Sequence, residues 1–532
     1  MSLLSLGLAA LAAGSLHAVP DGPVAPALHC VAISPMVKLR RDQPAVTGTD
    51  VISMVAARGE GQSAQVLVSA AADVSSGSVS FTPLTGPGGA TITPEWRLAG
   101  YVHVTNPTAV GYGVEGYYPD PLEELKPFSL RAGESQSVWM DVWVPRTAAP
   151  GTYTGTVTIR GGGVEATLPV NLTVKNVLLP VTSRLKTLVQ FLYSRQGRTP
   201  ADYNALCEAG LKYRFTSAPN LQWDRVFSKD ASGAWQADWT ALDAEVERFL
   251  ALGTTQFKIE CLPWATKAPT GAEADEWKAK LDLTSRHLKA KGWMDKFLLY
   301  IFDEPHPEHA GEINDVCDFI HKCDPGLRIL YTNGSNLWGI RADVIVPHIH
   351  LLENGGLMEA RKLRARGAEI WAYTCDGTRQ TGDPDNWKID WRGTGARALG
   401  WWLWMRQAAG YLYWSVDGWS HDPYNSPDPV SRCNGDGFMF YPDEQGHPGI
   451  PSLRLSLMRD AFQDYDLLAM LKEKLAADAS LTPRYAGLLT TTNAFPTMGQ
   501  YLDDPAMYEQ RHADLLNALD ELNRDPANPT GN

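Results

Sequence analysis

Between about Cys30 and Val177 apolar and polar residues alternate in short runs such as Gln65-Val66-Leu67-Val68, Ser78-Val79-Ser80-Phe81, Ser137-Val138-Trp139-Met140-Asp141-Val142-Trp143-Val144 and Thr154-Gly155-Thr156-Val157-Thr158-Ile159. A period of two belongs to a strand whose side chains point alternately to two faces. Many short runs of this kind, broken by Gly and Pro, predict an antiparallel β-sandwich over residues 28–179. The segment from Val144-Pro145 to Pro150-Gly151-Thr152-Tyr153 reads as a turn between two of its strands.

After Pro180 the texture changes to apolar runs separated by helical stretches, the pattern of β/α units around a parallel sheet. Strands are expected at Leu185 to Leu192, Gln256 to Cys261, Phe297 to Phe302, Arg328 to Thr332, Val344 to His348, Glu369 to Thr374 and Tyr411 to Ser415, with an eighth near Leu211 to Phe215. Eight such units predict a (β/α)8 TIM-like barrel over residues 184–480, whose active site would lie at the strand C-termini. The apolar series from Leu453 through Met470 predicts one long helix, and a last helix is expected from Tyr508 to Asn523 within a C-terminal helical segment, 481–525. The expected fold is therefore multidomain: sandwich, barrel, then helices.

At 532 residues the chain is long enough for such an arrangement. Its net charge of -13, without a long Lys/Arg run, argues against a nucleic-acid partner. Residues 1–18 read as a signal peptide: an apolar, small-residue stretch ends at Leu16-His17-Ala18, which predicts a secreted or periplasmic protein. No later run is long enough to span a membrane. Seven cysteines without Cys-x-x-Cys spacing imply no zinc or iron–sulfur site; a Cys317–Cys323 bridge and buried thiols are both compatible with export. The 18 Trp and 19 Tyr supply rings that stack on sugar faces as readily as they fill a core; most belong to the core and a minority to a site.

The run Leu298-Leu299-Tyr300-Ile301-Phe302-Asp303-Glu304-Pro305 is an apolar strand ending in two carboxylates and a proline. Neighbouring strand residues face opposite ways, so Asp303 and Glu304 address one pocket only if the chain leaves β geometry there, and Pro305 favours such an exit. Close acids divide labour, one protonated and one charged, as glycoside cleavage requires. The alternative is that the two merely cap the helix that follows.

Other strand ends carry Tyr331 and Asn333, Trp371 and Tyr373, and Trp414, Asp417 and Trp419, which converge in expectation on an aromatic, acid-floored pocket and are the candidates for substrate contact. Trp401, Trp402 and Trp404 read as helix packing. His306, His309, His348 and His350 show no His-Glu-x-x-His pattern, so no metal is assigned, and no motif calls for another cofactor.

These features resemble glycoside hydrolase family 123, the β-N-acetylgalactosaminidases, together with the uncharacterised proteins sharing that catalytic domain. The resemblance rests on Ala57-Arg58-Gly59-Glu60 with Gln65, Pro150-Gly151-Thr152-Tyr153, Asp303-Glu304-Pro305, Trp371-Ala372-Tyr373-Thr374-Cys375, Gly435-Asp436-Gly437 with Tyr441-Pro442, Ser452-Leu453-Arg454-Leu455, Arg459-Asp460 and Asp464-Tyr465, in that order. The chain departs from the pattern at Ala461-Phe462-Gln463. The resemblance implies an exo-acting enzyme with substrate-assisted, retaining hydrolysis. The 2-acetamido oxygen would attack the anomeric carbon, Asp303 would orient that group, and Glu304 would serve as acid and then base. Two other readings stay open: a glycosidase for a sugar lacking the acetamido group, with Asp376 or Asp417 as distant partner, and a non-catalytic glycan-binding protein.

Overall fold

A computed structural model describes residues 28–109, 113–192, 199–217, 219, 221–259, 262, 267–375, 387–419, 422–428, 433–444, 446–491 and 501–524. The expected leader, Cys261 and Asp376 lie outside them. The first 150 described residues form two facing sheets. One is antiparallel in the order Leu28–Ile33, Gly61–Ala70, Ser135–Trp143, Glu95–Val104, Gly116–Glu124. The other runs Ile52–Arg58, Val164–Leu178, Gly151–Gly161, Val74–Phe81, Phe128–Leu130, with Ile52–Arg58 parallel to its neighbour. Val66, Val68, Val138, Met140 and Val142 of the first sheet meet Tyr153, Val157, Ile159, Leu168 and Val170 of the second in a closed core, as sheet-on-sheet packing demands.

The opposite face of the first sheet departs from simple alternation. Ser63, Gln65, Ser137 and Asp141 should face water, yet all are buried. The helix Leu453–Ala477 lies over them and supplies partners. Arg459 donates to Asp141 Oδ1 at 2.9 Å and Ser63 Oγ at 2.8 Å, and the Gln463 amide bonds both the N–H and the C=O of Gly61 at 2.9 and 2.7 Å. Further along, Arg454 pairs with Asp120 at 2.8 Å. Arg454, Arg459 and Gln463 thus serve a desolvated joint between the sandwich and the rest of the chain, where buried polar groups need partners.

The second half contains parallel strands with helices between them. Five run in the order Phe257–Ile259, Phe297–Phe302, Ile329–Asn333, Val344–Pro347, Glu369–Ile370. Three more run Lys186–Val189, Gly410–Tyr413, Ala372–Thr374. The expected Glu369 to Thr374 strand is split at Trp371, its first part pairing with one group and its second with the other. The expected eighth strand is displaced: Leu211 and Lys212 end the helix Pro200–Lys212, and Ser217 instead makes an isolated parallel bridge to Val189. Leu188, Leu298, Leu330, Val344, Val346, Trp371, Tyr373 and Leu412 fill the inner side of the strands. Outward residues such as Leu299, Ile329 and Ile345 pack against the helices. Cys317 and Cys323 carry separate thiols with no bridge between them. The long helix begins at Leu453, capped by Ser452, and the last helix is Pro505–Asn523.

Candidate active site

The strand Phe297–Phe302 faces both adjacent acids to one side by two devices. Leu298 and Tyr300 point inward, Phe297 and Leu299 outward. Pairing with Ile329–Asn333 then slips: Tyr300 opposes Leu330, whereas Phe302 opposes Tyr331. Ile301 is the extra residue of this bulge, and Ile301 and Phe302 both pack outward. The slip reverses the parity that follows, so Asp303 falls on the inner side, where regular alternation would have placed it outside. Glu304 adopts φ +45°, a left-handed conformation uncommon for a non-glycine residue. Such a residue stores on the order of 1–3 kcal/mol and persists where its surroundings hold it. Here its backbone N–H donates to Thr332 Oγ1 at 2.8 Å.

Each carboxylate has its own partners. Asp303 Oδ1 accepts from the Tyr300 hydroxyl and from Thr332 Oγ1, both at 2.7 Å. Glu304 Oε1 accepts from the Tyr373 hydroxyl. Both acids are exposed at the mouth, and neither caps the helix Ala310–Cys323, whose N-cap His309 has no side-chain cap. Burial, reinforced by the Asp303 charge, pushes the Tyr300 phenol well above its usual range. Burial does the same to Tyr373, with Cys375 and Glu304 adding to it. Both phenols therefore stay protonated and act as donors. Gly334 faces Glu304 directly: a Cβ there would lie 2.7 Å from Glu304 Oε1 and 3.0 Å from the Tyr373 hydroxyl.

The remaining candidates divide. Tyr373 accompanies the acids, and Trp414 is half-buried one residue beyond Gly410–Tyr413, the strand that pairs with Ala372–Thr374. Tyr331 and Asn333 are buried on the outer side of their strand, where they brace the loop behind the acids: the Tyr331 hydroxyl donates to Leu337 O at 2.5 Å, and Asn333 Oδ1 accepts from Leu337 N at 2.8 Å. Trp371 is fully buried in the inner core, packed on Gly410, with its indole N–H on Glu369 at 3.1 Å. Asp417 is also buried; its Oδ1 accepts from Leu192 N at 2.6 Å. Trp419 packs near Val102, Tyr118, Phe438 and Tyr441, at the seam with the sandwich.

Tyr300, Thr332 and Gly334 were given no role by sequence. Thr332 and Gly334 flank Asn333 at a strand end, which is the one visible signal; Tyr300 is indistinguishable from core in an apolar run. His348 ends Val344–Pro347 with its ring edge-on to Tyr373, centroids 5.1 Å apart. Burial, then His350 and Lys388, lowers its pKa to about 3, so the ring is neutral. Among the described residues no three His, Cys, Asp or Glu side chains converge as metal ligands.

Two family profiles match the chain: "Glycoside hydrolase 123 N-terminal domain" over residues 37–161 and "Glycoside hydrolase 123, catalytic domain" over residues 225–471. Among solved structures, a family 123 glycoside hydrolase from Clostridium perfringens, described in terms of glycolipid glycan hydrolysis, is 16% identical with a TM-score of 0.66, covering 93% of this chain and 100% of that one. A GH10 xylanase with a bacterial Ig-like domain from termite gut (10% identical, TM-score 0.33, 78% of this chain and 99% of that one) and Bacteroides uniformis β-glucuronidase 3 (11%, 0.32, 83% and 52%) are too dissimilar to bear on the fold. No curated protein matches in sequence. The C. perfringens likeness carries the fold across 93% of the chain, and the two profiles cover most of the sandwich and the strand that holds Asp303 and Glu304. The chain belongs to glycoside hydrolase family 123 and is a glycoside hydrolase.

Proposed function

We propose that this glycoside hydrolase is an exo-acting β-N-acetylgalactosaminidase that works by substrate-assisted, retaining hydrolysis at Asp303 and Glu304. The observation that carries this reading is the bulge and left-handed turn that aim two consecutive carboxyls at one mouth while giving each different partners. Asp303, fixed by Tyr300 and Thr332 through Oδ1, has its other oxygen for the acetamido N–H. It thereby orients the acetamido oxygen toward the anomeric carbon. Glu304, held through Oε1 by Tyr373, gives its proton to the leaving oxygen as the oxazolinium ring closes, then takes one from the water that opens the ring. No enzyme nucleophile is needed, which suits acids that are neighbours in sequence. Tyr373 and Trp414 would wall the sugar.

The same reading takes the five-stranded and three-stranded groups as arcs of one (β/α)8 barrel. The His348–Tyr373 and Val189–Ser217 bridges support it, as does the Thr216–Thr255 hydroxyl contact of 3.0 Å across the remaining gap. The apolar run over residues 1–18 supports export. The glycolipid glycans named for the C. perfringens enzyme are the first natural substrates to test.

The experiment is initial rates on the nitrophenyl β-glycosides of N-acetylgalactosamine, N-acetylglucosamine and galactose. The first should be turned over best, Glu304→Gln should abolish turnover, and Asp303→Asn should lower it selectively for the acetamido sugars. Efficient cleavage of the galactoside would sink the substrate-assisted mechanism.

A further inference from the structure

Trp414 is held more firmly than a stacking ring requires. Its indole N–H donates to Asp436 Oδ2 at 3.2 Å, and the other oxygen of Asp436 accepts from Tyr413 at 3.1 Å and from Lys388 Nζ at 3.0 Å. Asp436 and Lys388 are 0% and 1% exposed. Two glycines complete the grip. Gly437 has φ +76°, and a Cβ on it would come within 2.0 Å of Trp414 Cζ2; one on Gly418 would come within 3.2 Å of Trp414 Cη2. The benzo edge of the indole thus lies in a notch that only glycine leaves open.

Lys388 is itself anchored from the sandwich. Lys38 Nζ donates to the carbonyls of Lys388 and Ile389 at 3.1 and 2.5 Å, and Thr108 donates to Asp390 through its N–H at 2.6 Å and its hydroxyl at 2.7 Å. A continuous polar strut therefore runs from the sandwich through Lys388 and Asp436 to the Trp414 indole just beyond the end of Gly410–Tyr413. Apolar residues of similar volume fill such a space as stably as a buried ion pair, so stability alone does not account for the pair. What the pair adds is direction, because the indole has a single N–H and must turn it toward a carboxylate that Lys388 and Tyr413 hold in place.

We infer that Asp436, tied to Lys388, is a positioning residue that fixes the Trp414 ring as the wall of the sugar site, and that the sandwich takes part in substrate selection through this strut. The inference rests on the proposed function for the identity of the sugar. It does not depend on that proposal for the strut itself.

Indole N–H spectra of the 15N-labelled protein read the strut without any activity. Trp414→Phe identifies the Trp414 resonance, and Asp436→Asn should move it. Kinetics on nitrophenyl N-acetyl-β-galactosaminide read the consequence. Asp436→Asn should raise KM about tenfold with kcat within about twofold, the signature of lost uniform binding rather than lost chemistry. In the Trp414→Phe background, which has no indole N–H, the same substitution should change KM less than about twofold. Lys388→Met/Asp436→Asn, which leaves no buried charge alone, should fold if Asp436→Asn does not and should show the same pattern. An unmoved indole resonance, or an equal KM effect with and without Trp414, would overturn the inference. A moved resonance in a parent inactive on the galactosaminide would instead sink the substrate proposal and leave the strut standing.

Discussion

Gly334→Ala should damage the active site while sparing the fold. The added Cβ would stand 2.7 Å from Glu304 Oε1, 2.8 Å from Glu304 Cδ and 3.0 Å from the Tyr373 hydroxyl. All three are side-chain atoms, so the carboxyl yields rather than the backbone. Ordinary contact begins at 3.4 Å, so the Glu304 carboxyl must retreat by about 0.7 Å, a displacement that loosens its bond to Tyr373. A misplacement near 1 Å at a reacting group costs up to about 100-fold in rate, so a fall in kcat of about 10- to 100-fold is expected. Gly334 is not in the left-handed region. Alanine there therefore adds no backbone strain, and by narrowing the unfolded ensemble it stabilises by up to about 1 kcal/mol. The assay pairs initial rates on nitrophenyl N-acetyl-β-galactosaminide with thermal unfolding. Parent-like kcat in a folded variant would refute the placement of Glu304 against Gly334. A collapse in Tm would refute the claim that the clash is confined to movable side chains.

Arg454→Met should strand Asp120, which is fully buried and also accepts from Tyr441 at 2.6 Å. The expected loss is about 3–5 kcal/mol in urea unfolding, largely recovered in Asp120→Asn/Arg454→Met; a single variant as stable as the parent would show that the joint does not depend on the pair. His512 tests the same joint by pH. Burial alone would lower its pKa, but Glu60 at 3.4 Å and Asp464 at 2.8 Å outweigh that and the nearby Arg397, and hold it above the ordinary value. A raised pKa means that the charged ring stabilises the fold fully below about pH 6.5, and that this contribution is lost as pH rises through the folded-state value. The Tm gap between the parent and His512→Gln should accordingly be widest near pH 5.5 and shrink toward pH 9; a constant or widening gap would contradict the assignment.

Much of the site was legible in the chain because the signals are local. An apolar run ending in Asp303-Glu304-Pro305 announces a strand end with chemistry, and Tyr373 and Trp414 follow at neighbouring strand ends. The faces of Tyr331, Asn333 and Trp371 were not legible. Phe297–Phe302 is apolar through its length, and Ile329–Asn333 turns polar only at the consecutive Thr332 and Asn333, so neither run carries the polar alternation that would mark an inner and an outer side. The residues expected to contact substrate at one such end, Tyr331 and Asn333, turn out to hold the loop from behind. Asp417 looks like a spare acid and is spent on the Leu192 N–H.

By itself the sequence determined what local periodicity and composition encode. Alternation specified the sandwich, the apolar runs specified parallel strands with helices between them, and the adjacent acids marked the candidate site. Tertiary structure alone decided how those acids are aimed, because a bulge arises from the pairing of Ile301 and Phe302 with another strand and the left-handed Glu304 survives only with Thr332 beneath it. It also decided that the polar face of Ser63, Gln65 and Asp141 would be buried rather than wet. Arg459 lies 318 residues from Asp141 and 396 from Ser63, and Gln463 lies 402 from Gly61, and no window of sequence registers a partner at that distance.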